Sequence, residues 1–105
     1  MSPLFWLLLF LAMTGHSTAS YCLCKDGESE VALQGALGYA CATGADCSAI
    51  LPNGACYNPN TVKDHCNYAV NSNFHNTGNC NFGGVATITP NPPSNIASTC
   101  SYPSN

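Results

Sequence analysis

The chemistry available to this chain lies in rings and amides rather than in charges. Its densest stretch is Cys56-Tyr57-Asn58-Pro59-Asn60-Thr61-Val62, where a cysteine, a ring, two side-chain amides, a proline and a threonine fall within seven residues. Tyr68, Asn71 and Phe74 follow it, and Tyr39 and Asp46 precede it. An Asn side chain offers a donor and an acceptor together, while a Tyr ring offers flat apolar area ending in a hydroxyl. Such groups suit a neutral partner.

Charge is too sparse for the alternatives. Lys25 and Lys63 stand against Asp26, Glu28, Glu30, Asp46 and Asp64, with no Arg. Nucleic acid and anionic membrane require clustered Lys and Arg to displace counterions, so both are excluded as partners. A cationic antimicrobial peptide is excluded on the same ground.

Catalytic and metal-bound readings are also weak. Glycoside hydrolysis needs two carboxylates about 5–9.5 Å apart across a cleft, and the acidic residues here fall mostly at helix starts. Cys22, Cys24, His65 and Cys66 have the chemistry to hold zinc, but eight cysteines in a small secreted chain favour disulfides. All eight can pair, which leaves no reactive thiol. The expectation is no enzyme, no metal and no cofactor.

These groups must be positioned by a small framework. Residues 1–20 are set aside as a secretory signal: Leu4 to Met13 is a ten-residue apolar run followed by the small residues Ser17-Thr18-Ala19-Ser20. That run is about half the length of a membrane-spanning helix. Residues 21–100 form the domain and 101–105 a short frayed tail. A core this small cannot easily offset conformational entropy by apolar burial alone, so bridges decide whether it folds.

Tyr21-Cys22-Leu23-Cys24 reads as a short entering strand. Ser29 caps a helix with Glu30 in its first turn, and Leu33, Ala36, Leu37, Ala40 and Cys41 share one face. Tyr39 lies off that stripe, and Gly44 suits a left-handed stop. Residues 46–50 are too short to assign, and Leu51-Pro52-Asn53-Gly54 is a β-turn. Asn58 is expected to cap a second helix that Pro59 opens, with Val62 to His75 carrying the helical spacing. There Val62, Cys66, Ala69, Val70 and Asn73 form the buried stripe, and Thr61, His65, Tyr68 and Ser72 a more polar one. Asn76-Thr77-Gly78 ends it. Val85 to Thr89 is β-branched and suits a strand, whereas Pro90 to Asn95 cannot join a sheet interior.

At this point the residues resemble a known family. Leu33-Gln34-Gly35-Ala36-Leu37-Gly38-Tyr39-Ala40-Cys41, Gly44-Ala45-Asp46-Cys47, Gly54-Ala55-Cys56-Tyr57-Asn58-Pro59-Asn60-Thr61-Val62, Tyr68-Ala69-Val70-Asn71-Ser72 and Cys80-Asn81-Phe82-Gly83-Gly84-Val85-Ala86 are similar to the plant carbohydrate-binding module family 43. The resemblance runs from Tyr21 to Cys100. The additional pair Cys24 and Cys66 resembles the plasmodesmata callose-binding proteins within that family. Two departures stand out: no Ser/Pro-rich spacer or hydrophobic anchor tail appears before Asn105, and Asn73 stands where relatives commonly carry an aromatic.

The resemblance implies an α+β, disulfide-rich fold of two packed helices with a small antiparallel β-sheet. It implies bridges Cys22–Cys80, Cys41–Cys47 and Cys56–Cys100, leaving Cys24 and Cys66 for each other. Eight cysteines allow 105 pairings, and sequence alone would not choose among them. The implied function is non-catalytic binding of β-1,3-glucan (callose) by a secreted monomer in the cell wall, with plasmodesmata as one location. The other reading is a cysteine-rich signalling or inhibitor peptide acting on a protein.

A neutral glucan is caught by rings against its C–H faces and by fixed donors and acceptors at its hydroxyls. The expected contacts are Tyr57, Asn60, Tyr68, Asn71 and Phe74 around the second helix, joined by Tyr39 and Asp46. Each has a plainer role open to it. Asn58 is more readily a cap than a contact, Asp46 can cap a turn, and His65 and His75 fit an ordinary polar face. Phe82 reads as core.

Overall fold

The structure is a computed structural model that describes residues 19–105. The signal sequence expected over residues 1–20 falls almost wholly outside the described residues.

Alternation sets the first element. In β1 (Tyr21–Cys24) the two cysteines are buried and the alternate residues Tyr21 and Leu23 half-buried. Ser29 then begins α1 (Glu30–Ala42) as expected, its side chain accepting from the Ala32 N–H. Leu33, Ala36 and Ala40 are the buried stripe, with Leu37 and Cys41 packed at its edge. The segment left unassigned from sequence is a 3-10 turn at Ser48–Ile50, which sends Ile50 into the core. Leu51 to Gly54 is a type II turn: the Gly54 N–H donates to the Leu51 carbonyl at 2.8 Å, and Asn53 takes the positive φ of 70°. Gly54 is required there, because a Cβ would lie 2.2 Å from the Ala49 carbonyl oxygen.

The second helix, α2 (Val62–Thr77), begins later than the Asn58-Pro59 reading implies. Thr61 is the cap: its side chain accepts from the Asp64 N–H at 3.0 Å. The Asn58–Pro59 bond is cis and belongs to the preceding loop. Gly78 closes the helix in the left-handed conformation, donating to the Phe74 carbonyl. A 3-10 turn (Phe82–Gly84) leads into β2 (Ala86–Thr89), which pairs antiparallel with β1 so that Cys22 faces Ile88 and Cys24 faces Ala86.

Burial centres on α2. Eight of the nine residues from Cys66 to Phe74 are buried, and only Tyr68 keeps substantial exposure. Such a helix needs cover on several sides. It packs against α1 and against β1, and the segment 101–105 lies along it. That segment is not frayed. Tyr102 meets Tyr68 edge to face, the Pro103 carbonyl accepts from Asn71, and Asn105 exchanges backbone hydrogen bonds with Ser20. The four bridges are Cys22–Cys80, Cys24–Cys66, Cys41–Cys47 and Cys56–Cys100, as the family resemblance implies, and no cysteine is free. Among the described residues no helix is long and apolar enough to cross a membrane.

Candidate ligand-binding site

A half-buried stripe along α2 carries a row of rings. Tyr57 enters it from the loop before the helix, its ring centroid 5.5 Å from that of His65 at a tilt of 39°. His65 fixes that loop as well, since its Nε2 lies 2.7 Å from the Tyr57 carbonyl and donates to it in the matching tautomer. Tyr68 follows one turn later on the same side of the helix. Tyr102, from the tail, meets Tyr68 edge to face at 5.5 Å and 85°. Tyr57, His65, Tyr68 and Tyr102 thus form a strip held by a helix, a bridge-anchored loop and the docked tail.

The electrostatics of the strip favour neutral phenols. Burial pushes the Tyr68 hydroxyl above its ordinary pKa, and the nearby Asp46 carboxylate adds to this. Tyr102 moves further in the same direction, first through burial and then through Asp64 and Tyr68. Asp46, just before the 3-10 turn, accepts from the Ser48 hydroxyl and backbone N–H, which hold its carboxyl low. Its own N–H donates to Ser72 on α2, which brings the turn against the Tyr68 end of the strip.

The remaining expected contacts divide. Asn60 is exposed at the entry to α2, close in sequence to Tyr57. Asn71 and Phe74 are corrected from ligand contacts to interior residues. Asn71 is fully buried, accepting from the Cys22 N–H and donating to the Pro103 carbonyl, and Phe74 lies in the hydrophobic core. Tyr39 stands elsewhere, 57% exposed on α1 with its ring edge-on to Phe82. Sequence reasoning missed Tyr102 altogether. Its signal was faint: a lone ring two residues after the last cysteine. The cysteines weighed for zinc, Cys22, Cys24 and Cys66, are all held in bridges.

The X8 domain model matches residues 20–87. This chain belongs to the X8 domain family. Plasmodesmata callose-binding protein 2 of Arabidopsis thaliana is 50% identical over 109 residues, covering 100% of this chain and 55% of the relative. Plasmodesmata callose-binding protein 3 of the same plant is 53% identical over 81 residues, covering 73% and 44%. The glucan endo-1,3-beta-D-glucosidase of Olea europaea is 42% identical over 95 residues, covering 87% of this chain and 20% of the enzyme. This X8 chain spans about half the length of the callose-binding relatives it matches.

Proposed function

We propose that this domain binds β-1,3-glucan (callose) without cleaving it, through the Tyr57–His65–Tyr68–Tyr102 strip, with Asn60 at its rim. The observation that carries the reading is the strip itself. A helix otherwise buried through Cys66–Phe74 leaves out a ring, Tyr68, and other rings continue the row on either side. The names of the X8 relatives support the ligand: several are callose-binding proteins, and the glucosidases act on β-1,3-glucan.

Binding without hydrolysis fits the carboxylates. Asp26 is tied to Lys63 and held below the usual range, and Asp46 is held low by Ser48. Asp64 accepts from Thr61 and Asn95. Neither Asp26 nor Asp46 is set up as the raised-pKa acid that a glycosidase needs. The site of action that follows is the cell wall, including plasmodesmata, with the domain acting as a monomer.

Retention on insoluble β-1,3-glucan, alongside β-1,4- and mixed-linkage glucans, tests the reading. Tyr57→Ala and Tyr68→Ala should each weaken β-1,3 retention roughly two- to tenfold, the 0.5–1.5 kcal/mol scale of an aromatic contact. Wild-type retention with neither variant affected would overturn the site. Release of reducing sugar by the purified domain would overturn the non-catalytic assignment.

A further inference from the structure

The first helix carries a second surface that the ring strip does not use. Ala32, Gly35 and Tyr39 recur at helical spacing, turned about 120° from the Leu33 stripe. Ala32 and Gly35 have almost no side chain, so the helix backbone there becomes the floor of a groove. Tyr39 forms one wall. The other wall is the turn at 82–84, with Val85 behind it and Asn79 and Asn81 at the rim, enclosing about 470 Å³. That volume falls in the range of small-molecule sites, about 300–1,000 Å³.

The walls are set firmly. Phe82 adopts a φ of 49°, a left-handed conformation that a non-glycine residue holds only under constraint, and its buried ring backs Tyr39 at 6.0 Å. The rim amides are oriented too. Asn79 Oδ1 accepts from the Asn81 N–H, and Asn81 Oδ1 accepts from the Gly84 N–H. With both oxygens committed to the turn, the two Nδ2 groups have no protein partner among the described residues and serve as directed donors. No charged residue lines the groove. An exposed ring, a bare floor, two fixed donors and no charge match a neutral, hydroxyl-bearing chain.

We propose that this groove is a second glycan site, in which a glucosyl unit stacks on Tyr39 and its hydroxyls accept from Asn79 and Asn81. None of its residues belongs to the Tyr57–Tyr102 strip. One domain therefore engages two stretches of glucan and cross-links separate chains. This rests on the glucan reading of the strip.

The test uses the whole secreted chain, a β-1,3-linked glucohexaose and a soluble β-1,3-glucan. Gly35→Leu is the cleanest variant. A Cβ at Gly35 meets nothing within 4 Å, and leucine favours helix over glycine, so the substitution fills the groove without straining the fold. Tyr39→Ala removes the wall instead. Titration calorimetry should count two hexaose sites on the wild type and one on either variant. Light scattering should show soluble glucan cross-linked by the wild type and by neither variant, with retention on insoluble glucan kept by both. One site on the wild type, with Gly35→Leu and Tyr39→Ala unchanged, would overturn the second site and leave the strip standing. Loss of all binding in Gly35→Leu, with none lost in Tyr68→Ala, would overturn the two-site arrangement. A wild type that binds neither probe would overturn the glucan reading itself, and this inference with it.

Discussion

The Cys22 backbone N–H donates to the side-chain oxygen of Asn71 at 3.0 Å, so a helix completes the edge of a strand. One turn earlier on α2, Asn67 does the same for the Cys24 N–H at 2.9 Å. The spacings match because i and i+2 on a strand point the same way, as do i and i+4 on a helix. The outer edge of β1, otherwise a template for unwanted pairing, is closed without a third strand. Asn71 also donates to the Pro103 carbonyl at 2.8 Å, tying the tail to the same point.

Asn71→Leu is therefore expected to lower stability rather than glucan retention. It leaves a buried N–H and a carbonyl unpaired, costing about 1–3 kcal/mol. At about 4–8 °C per kcal/mol for a domain of this size, thermal unfolding by circular dichroism resolves the loss. Asn71→Asp should cost more still, because it places a carboxylate at a fully buried position against the Pro103 carbonyl. A variant of unchanged melting temperature that no longer held glucan would return Asn71 to the ligand site.

The same residue shows where sequence reading stops. The helices, the strand positions, the β-turn at 51–54 and the buried cysteine face were all legible, because each rests on local spacing or turn chemistry. Asn71 was read as a ligand contact because an amide that serves a strand edge looks, in sequence, like one that faces solvent. Asn58-Pro59 has the composition of a helix start, yet Thr61 wins with its hydroxyl aimed at the Asp64 N–H. Tyr102 was invisible for another reason. Residues 101–105 have no periodicity, and what docks them is α2, about 30 residues away in the chain.

Tyr102 and Tyr68 give the domain a predictable response to alkali. Both phenols titrate above their ordinary value of about 10 when folded, with burial as the first cause. Unfolding restores the ordinary value, so the unfolded chain loses these protons first. Their contribution is complete below about pH 10 and is lost as pH rises beyond it. Urea midpoints should fall between pH 9 and pH 11.5 in the wild type. In Tyr102→Phe the fall should be shallower, since the more buried phenol is gone. Equal slopes in the two proteins would show that the Tyr102 hydroxyl is not buried against α2.

Asn73, on the expected buried stripe of α2, is 1% exposed. Its Nδ2 donates to the Ala40 carbonyl at 3.1 Å and to Thr43 Oγ1 at 3.0 Å, and its Oδ1 accepts from Thr77. It satisfies the C-terminal end of α1 from α2, a helix cap supplied across the interface. Asn73→Ala should cost about 1–3 kcal/mol in chemical denaturation through the groups left unpaired. Glucan retention of the folded variant should match the wild type. Loss of retention without loss of stability would place Asn73 at the ligand.

Cys24–Cys66 ties β1 to α2 beside the Asn67 hydrogen bond, across a sequence separation of 42. The chain-entropy relation assigns a bridge of that span about 4 kcal/mol, acting mainly on the unfolded state. Cys24→Ala combined with Cys66→Ala should therefore shift the denaturant midpoint strongly downward. It should still fold, because Cys22–Cys80 and the two Asn contacts continue to hold β1 in place. Both cysteines are buried in the core rather than presented at the surface, so retention on β-1,3-glucan at low temperature should survive. A folded double variant that had lost retention would mean that the bridge shapes the binding face as well as the core.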